Sequence, residues 1–408
     1  MVKLGLASGK ARYVEALAFL IAEACLAARE GRRVSVSLNS NYWTGMQHVF
    51  GRASTLTFVR EALKLGEAAG VLKLKKAPAN PWDADGMQST FALTPAGQEY
   101  FGNDPTYERR ELVSQSNLVR LKDLNKNYLR YTPNAFSRDR FARLLPLNER
   151  LMAVAIGTQN PNIRTYEDGL WIIPGGRADR RGNTKDHVMR SDARILHATF
   201  NNGDWDQGGR TSGLFTMQLP KAERGQLKLD GKPVELIDFS CSHPRIAYAE
   251  ARLPLEGDAY LIRGWEGQRD FVKRALNTAL NAADPKAAWA SIAFRLADPN
   301  ARRAGRTRTD IRPEACHWRK AAEVLEAIVE HHDQIRQAFF TGAGLRFMRT
   351  EADVMLDTMT EAHRCGMTLL PTYDEFVVRH DHACRTRELM LSNWHRVVGR
   401  EGVVSVVS

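Results

Sequence analysis

Two acids stand at the tips of apolar β-type runs. Asp238 follows VELI (234–237) and leads into FSCSHPR, and Asp374 lies in GMTLLPTYDEFVVR between LL and FVV. A carboxylate at the end of a buried strand costs free energy unless something positive meets it. A divalent cation would answer that cost. Either aspartate alone reads as well as a turn acid; two in the same setting favour a metal site. Glu375 beside Asp374 reads by itself as a solvated neighbour. Between the two lies QRDFVKRALNTALNAAD, where Arg269, Lys273, Asn277 and Asn281 recur every four residues. On a helix they form one polar stripe, with Val272, Leu276, Ala279 and Leu280 opposite. Such a stripe is usually a solvated face. This one begins with two cations between two candidate metal acids, where a triphosphate would need neutralising.

The elements that must position these residues are partly legible. GQLKLDGKPVELIDFS is a hairpin signal around Asp230-Gly231, which sets Asp238 at the far end of its second strand. Pro244 suits the first turn of a following helix, PRIAYAEARL. Residues 1–105 read as a unit: a helix over about 11–30, a short strand in RRVSVSL, a helix in TLTFVREALKLGEAAG, then strands VLKLKKA and STFALTP around the loop APANPWDADG. Helices followed by a two-stranded ribbon form a winged-helix-like pattern, a nucleic-acid or protein contact module. Residues 106–204 read as a mainly helical, thumb-like or connecting region. There LVRLKDLNKNYLRY and NERLMAVAIG look helical, and GLWIIPGG looks like a strand. Residues 205–408 carry the candidate chemistry.

The chain has 408 residues, enough for two or three domains. Its 43% hydrophobic and 26% charged content is that of a globular protein. No apolar run is long enough for a bilayer, and Glu15 and Glu23 interrupt the apolar stretch Tyr13–Ala28. The expectation is a cytoplasmic protein without membrane contact. Five scattered cysteines argue against a disulfide framework. His363, Cys365, His380, His382 and Cys384 are metal-ligand types, but their spacing fits no common zinc motif. A net charge of +11 favours polyanionic partners. Basic segments recur at Lys73–Lys76, Arg140–Arg143, Arg302–Arg312 and Arg319–Lys320.

The ordered set of motifs resembles the family A and phage-type single-subunit polymerases. Asp-Phe-Ser-Cys-Ser-His-Pro-Arg (238–245) is similar to motif A, Arg269-x-x-x-Lys273 with positions 277 and 281 to motif B, and Tyr373-Asp374-Glu375 to motif C. Upstream, Gly209-Arg210-Thr211-Ser212 followed by Gln218-Leu219-Pro220 resembles a primer–template contact segment. The resemblance covers about residues 205–400. It implies an α+β right-hand palm and fingers, preceded by the winged-helix-like module. Asp238 and Asp374 would hold two Mg²⁺ ions (or Mn²⁺), with the Phe239 carbonyl completing a ligand sphere and Glu375 as a nearby supporting acid of the catalytic set. Arg269 and Lys273 would grip the triphosphate, Lys273 protonating the leaving group. Arg210, Arg245, Arg274 and the Arg302–Arg312 segment would touch nucleic acid. The implied activity is template-dependent DNA synthesis from dNTPs on a primer–template. The half of the chain outside the motifs leaves little room for the proofreading exonuclease of larger relatives and carries no further acid-rich motif set, so no proofreading is expected. Departures limit it. His243 stands where the DNA enzymes carry a Glu beside the sugar 2′ position, and its bulk favours deoxynucleotides. Ser-Cys-Ser (240–242) and Lys273-Arg274 look more like the RNA enzymes. Asn277 and Asn281 replace an aromatic or apolar residue and a Tyr beside the nascent base pair, and Tyr373 replaces a His. A primase or RNA polymerase using NTPs, and an inactive polymerase-like DNA-binding protein, are the alternatives.

Overall fold

The computed structural model describes residues 11–29, 33–38, 55–76, 89–101, 115–166, 169–178, 184–191, 193–299 and 311–407. The loop 77–86 and most of the Arg302–Arg312 segment lie outside them. The chain forms two compact units, residues 1–134 and 135–408. Both mix helix and sheet, in an α+β arrangement. Among the described residues no helix is long and apolar enough to cross a membrane.

In the first unit, α1 (Ala11–Arg29), β1 (Val34–Val36), α2 (Leu56–Ala68), β2 (Leu72–Lys75), β3 (Ser89–Leu93) and α3 (Pro95–Phe101) surround one core. Leu17, Leu20, Ile21, Leu63, Leu72 and Phe91 are its fully buried centre. The sheet is antiparallel in the order β1-β3-β2. Thr55 caps α2 by accepting from the Phe58 amide at 3.2 Å, and Gly70 at φ +68° turns the chain into β2. A short helix, α4 (Gln115–Leu118), leads into β4 (Val119–Lys122) and β5 (Tyr128–Leu129). This stretch was expected to be helical, and it is a hairpin. The Asp123 carboxylate accepts from the Asn127 amide at 2.8 Å, and Lys126 takes φ +67°. That local turn chemistry outweighs the helical look of LVRLKDLNKNYLRY.

The second unit opens with α5 (Ala135–Ala153). The following stretch is mostly strand: β6 (Ile156–Thr158), β7 (Arg164–Thr165), β8 (Leu170–Ala178), β9 (Thr184–Arg190), β10 (Arg194–Asn201) and β11 (Asp204–Leu214). Helical content in 106–204 is thus confined, among the described residues, to α4 and α5. A four-residue helix, α6 (Lys221–Arg224), precedes β12 (Leu227–Leu229) and β13 (Lys232–Phe239). Asp230 (φ +51°) and Gly231 (φ +76°) form the two-residue turn between these strands, matching the twist of a tight hairpin. Then come α7 (Ser242–Glu250), α8 (Arg269–Asn281), α9 (Pro285–Ala297), α10 (Ala315–His331) and α11 (Gly344–Arg364). The chain ends with the hairpin β14 (Leu369–Thr372) and β15 (Glu375–Arg379), then α12 (Ala383–Val398) and β16 (Val404–Val407).

One antiparallel sheet, in the order β14-β15-β13-β12-β6 with β16 also on β13, is the platform for the site. Helix α12 packs against it through Trp394, whose ring meets Phe239 at 4.8 Å. Helix α11 runs beside β11, α7 and α12. Its buried stripe is Gly344, Phe347, Glu351, Val354, Met355, Thr358, Met359 and Ala362. One member of that stripe is an acid.

Candidate active site

Strand pairing decides where the acids meet. Asp238 lies opposite Glu375 in the β13–β15 ladder, and the Phe239 amide donates to the Asp374 carbonyl at 3.2 Å. Thr372 pairs with Glu375, so Tyr373 and Asp374 are the two residues of the β14–β15 turn. Tyr373 takes φ +60° there. Two short loops therefore bring Asp238, Asp374 and Glu375 to one end of one sheet. Directly after β13, Cys241 at φ +57° breaks the strand and starts α7, carrying Ser242 and His243 back over the same end.

Each acid has a different environment. Glu375 is buried, and both of its oxygens are held: Arg224 Nε donates to Oε1 at 2.9 Å, and Lys221 Nζ lies 3.1 Å from Oε2. Lys221 Nζ also donates to Asp238 Oδ2 at 3.0 Å. Burial lifts the Asp238 carboxyl above its ordinary range; Lys221 opposes that, and the charge of Glu375 adds to it. Asp374 is pushed up to about 7, first by burial and then by the charges of Glu351 and Asp238. Its Oδ2 lies 3.2 Å from Ser242 Oγ. Two carboxylates that repel each other in a desolvated corner fit a divalent cation by donor chemistry.

Glu351, which the motif reading missed, is the fully buried acid behind them. Arg210 grips it with two bonds, Nε to Oε1 at 2.6 Å and Nη2 to Oε2 at 3.0 Å, and Ser242 Oγ donates to Oε2 at 3.0 Å. His243 Nε2 lies 3.4 Å from Oε2 and 3.2 Å from Arg210 Nη2. Burial alone would raise the Glu351 pKa, but the His243 contact and the Arg210 charge outweigh it and hold the group at about 2. The available signal was Glu351's place four residues after Phe347 and four before Met355, inside an apolar stripe.

The remaining expected residues fall into three places. Lys273 lies near enough for its charge to act on Asp238, and its ammonium sits 5.7 Å from the Tyr260 ring centre. Arg269 is stacked on the same ring at 5.1 Å and donates to Asp258 Oδ2 at 2.6 Å. Tyr260 and Asp258 were not anticipated. Asn277, Asn281 and Arg274 face away toward α9, lining an open cavity of about 490 Å³ with Thr278, Ser291 and Arg295. Phe239 is a core ring.

Two arginines expected at nucleic acid are engaged internally. Arg245 donates to the carbonyls of Ser240, Leu255 and Gly257 at 2.9–3.0 Å, tying the end of β13 to the loop after α7. Arg210 is committed to Glu351 and stacks 5.4 Å from the Tyr373 ring centre. Within the basic segment at 140–143, Arg140 pairs with Asp353 and Arg143 with Asp357. Among the described residues, no three of His363, Cys365, His380, His382 and Cys384 bring ligand atoms together; only Glu314, Cys316 and His317 do, at the start of α10.

No protein-family profile and no curated protein matches the chain. Among solved structures it is similar to the POL domain of Pol1 from M. smegmatis, in a complex with DNA primer-template and dNTP, with 14% identity and a TM-score of 0.28. The match covers 53% of this chain and 48% of that chain, so this chain spans about half of that structure's length.

Proposed function

We propose that residues 135–408 catalyse metal-dependent nucleotidyl transfer, as a template-dependent DNA polymerase without a proofreading activity. The observation that carries this reading is the meeting of Asp238 and Asp374 at one sheet end, both with raised pKa values, with the Lys273 charge reaching Asp238. Asp238 and Asp374 would hold Mg²⁺. When bound, such ions supply activation of the primer 3′-hydroxyl and neutralisation of the pyrophosphate. Lys273 and Arg269 then act from α8 on the triphosphate. Arg269 exchanges its Asp258 partner for a phosphate oxygen. The primer 3′-hydroxyl gives up its proton to solvent as its oxygen attacks the α-phosphorus and the bond to pyrophosphate breaks, and Lys273 donates a proton to the leaving oxygen. Glu375 serves as an anchor for Lys221 and Arg224. Asn277, Asn281 and Arg274 line the wall beyond the nucleotide, and the first unit is a contact module for nucleic acid or protein.

A second reading, a primase or RNA polymerase, draws on His243. Its ring is turned into the Glu351–Arg210 network and is 7% exposed. A ring held there is a poor gate against a 2′-hydroxyl.

Extension of a labelled primer–template with Mg²⁺, given dNTPs or NTPs separately, tests both beside Asp374→Ala. Growth with dNTPs alone, lost in the variant, is the expected result. Products from NTPs on unprimed template would favour the second reading. DNA binding without incorporation under either condition would refute catalysis and leave a polymerase-like binding protein.

A further inference from the structure

The α6 segment gives the acid cluster a cation of its own. Its two charged ends are held differently. Arg224 is 11% exposed at its side chain and fixed twice, to Glu375 Oε1 at 2.9 Å and to the Leu219 carbonyl at 2.8 Å. Lys221, at the first position of the helix, is 44% exposed and reaches across to Asp238 Oδ2 at 3.0 Å and Glu375 Oε2 at 3.1 Å. Its ammonium thus bridges one oxygen of each carboxylate and occupies an Asp238 oxygen that a metal ion held by Asp238 would use. A lysine ammonium is a compact point charge on a flexible stem, so it leaves more readily than a bidentate guanidinium.

We infer that Lys221 is a resident counter-cation of the site, displaced when a divalent ion enters and drawn off by the phosphates of the incoming nucleotide. This rests on the reading of Asp238 as a metal ligand. An ammonium 3.0 Å from Asp238 Oδ2 repels an ion approaching the same oxygen. Without nucleotide, metal therefore binds weakly. A triphosphate offers the ammonium an alternative partner, so nucleotide and metal each strengthen the other's binding, reciprocally.

Mn²⁺ binding to the full chain, followed by electron paramagnetic resonance with and without dNTP, tests this independently of turnover. Lys221→Gln should bind Mn²⁺ about tenfold tighter than the wild type in the absence of nucleotide, with the gap narrowing once dNTP is added. Lys221→Arg, which keeps the charge but leaves less readily, should bind Mn²⁺ no tighter than the wild type, with or without dNTP. Asp238→Asn marks the site, and its binding should fall in every background. If Lys221→Gln binds Mn²⁺ no tighter than the wild type while Asp238→Asn weakens binding, the inference fails and the metal reading stands. If Asp238→Asn changes nothing, the metal reading fails and the inference with it.

Discussion

Glu351→Gln isolates the buried acid behind the site. The substitution keeps the volume and removes the charge, leaving the Arg210 guanidinium opposite a neutral amide. Two routes give the cost. A carboxyl held at about 2 instead of its ordinary 4.5 stabilises the native state at neutral pH by about 3 kcal/mol, at 1.36 kcal/mol per pKa unit. Removing one partner of a buried ion pair typically costs about 3–5 kcal/mol. At roughly 2–4 °C per kcal/mol for a unit of this size, the melting temperature should fall by about 10 °C. The folded pKa lies below the unfolded one, so this stability is present above pH 4.5 and is lost as pH falls toward 2. The gap between wild type and variant should therefore close across that window. Thermal unfolding by near-UV circular dichroism at pH 7, 5 and 3 measures it. A companion Arg210→Met/Glu351→Gln double variant should recover part of the loss, because its charge deletions are coupled. A gap under about 1 kcal/mol at pH 7, or one as large at pH 3 as at pH 7, would refute the assignment of Glu351 as the charged anchor of Arg210.

Asp374 carries the opposite sign. Its folded pKa of about 7 lies above the ordinary 3.8, so ionisation destabilises the fold as pH rises from 3.8 to 7, with the full cost above that. Asp374→Asn should then melt several degrees higher than the wild type at pH 8 in EDTA, with the difference vanishing near pH 4 and primer extension lost; a lower melting point at pH 8 would contradict the burial argument. At Gly344 an added Cβ would overlap the Asn281 carboxamide, which is itself bonded to the Asn277 carbonyl at 2.7 Å. Gly344→Ala should cost about 1–3 kcal/mol in urea unfolding, and Asn281→Ala in the same chain should return most of it; equal costs in both backgrounds would rule out that contact.

Local signals carried much of the platform. Asp230-Gly231 between short β runs fixed one hairpin, and the alternation around Thr372–Glu375 fixed the other. The packed face of α8 followed from helical spacing, and Val272, Leu276, Ala279 and Leu280 are all fully buried. Long-range pairing was not legible in the same way. Glu351 and Arg210 are 141 residues apart, and nothing local in either segment announces the other. The three carbonyls held by Arg245 lie on both sides of α7, at Ser240 before it and at Leu255 and Gly257 after it, and their meeting depends on tertiary packing. The 118–131 stretch went the other way because a single Asx-type turn at Asp123 sets its course.

The distribution of charge is the strongest argument that the cluster is a site and not a buried salt-bridge network. Four acids gather at or behind one sheet end: Asp238, Glu351, Asp374 and Glu375. Glu351 and Glu375 each receive an arginine, held by direct hydrogen bonds. Among the described residues no guanidinium bonds to Asp238 or Asp374. These two have only an exposed lysine and a serine hydroxyl, and their pKa values are raised. A network serving stability alone would leave all four acids compensated. Here Glu351 and Glu375 hold Arg210 and Arg224 in place, whereas Asp238 shares one half-exposed lysine with Glu375 and Asp374 has no cation bonded to it among the described residues. Holding both carboxyl groups at raised pKa values costs stability, a cost that fits the proposed reading in which a cation from solution would complete the site.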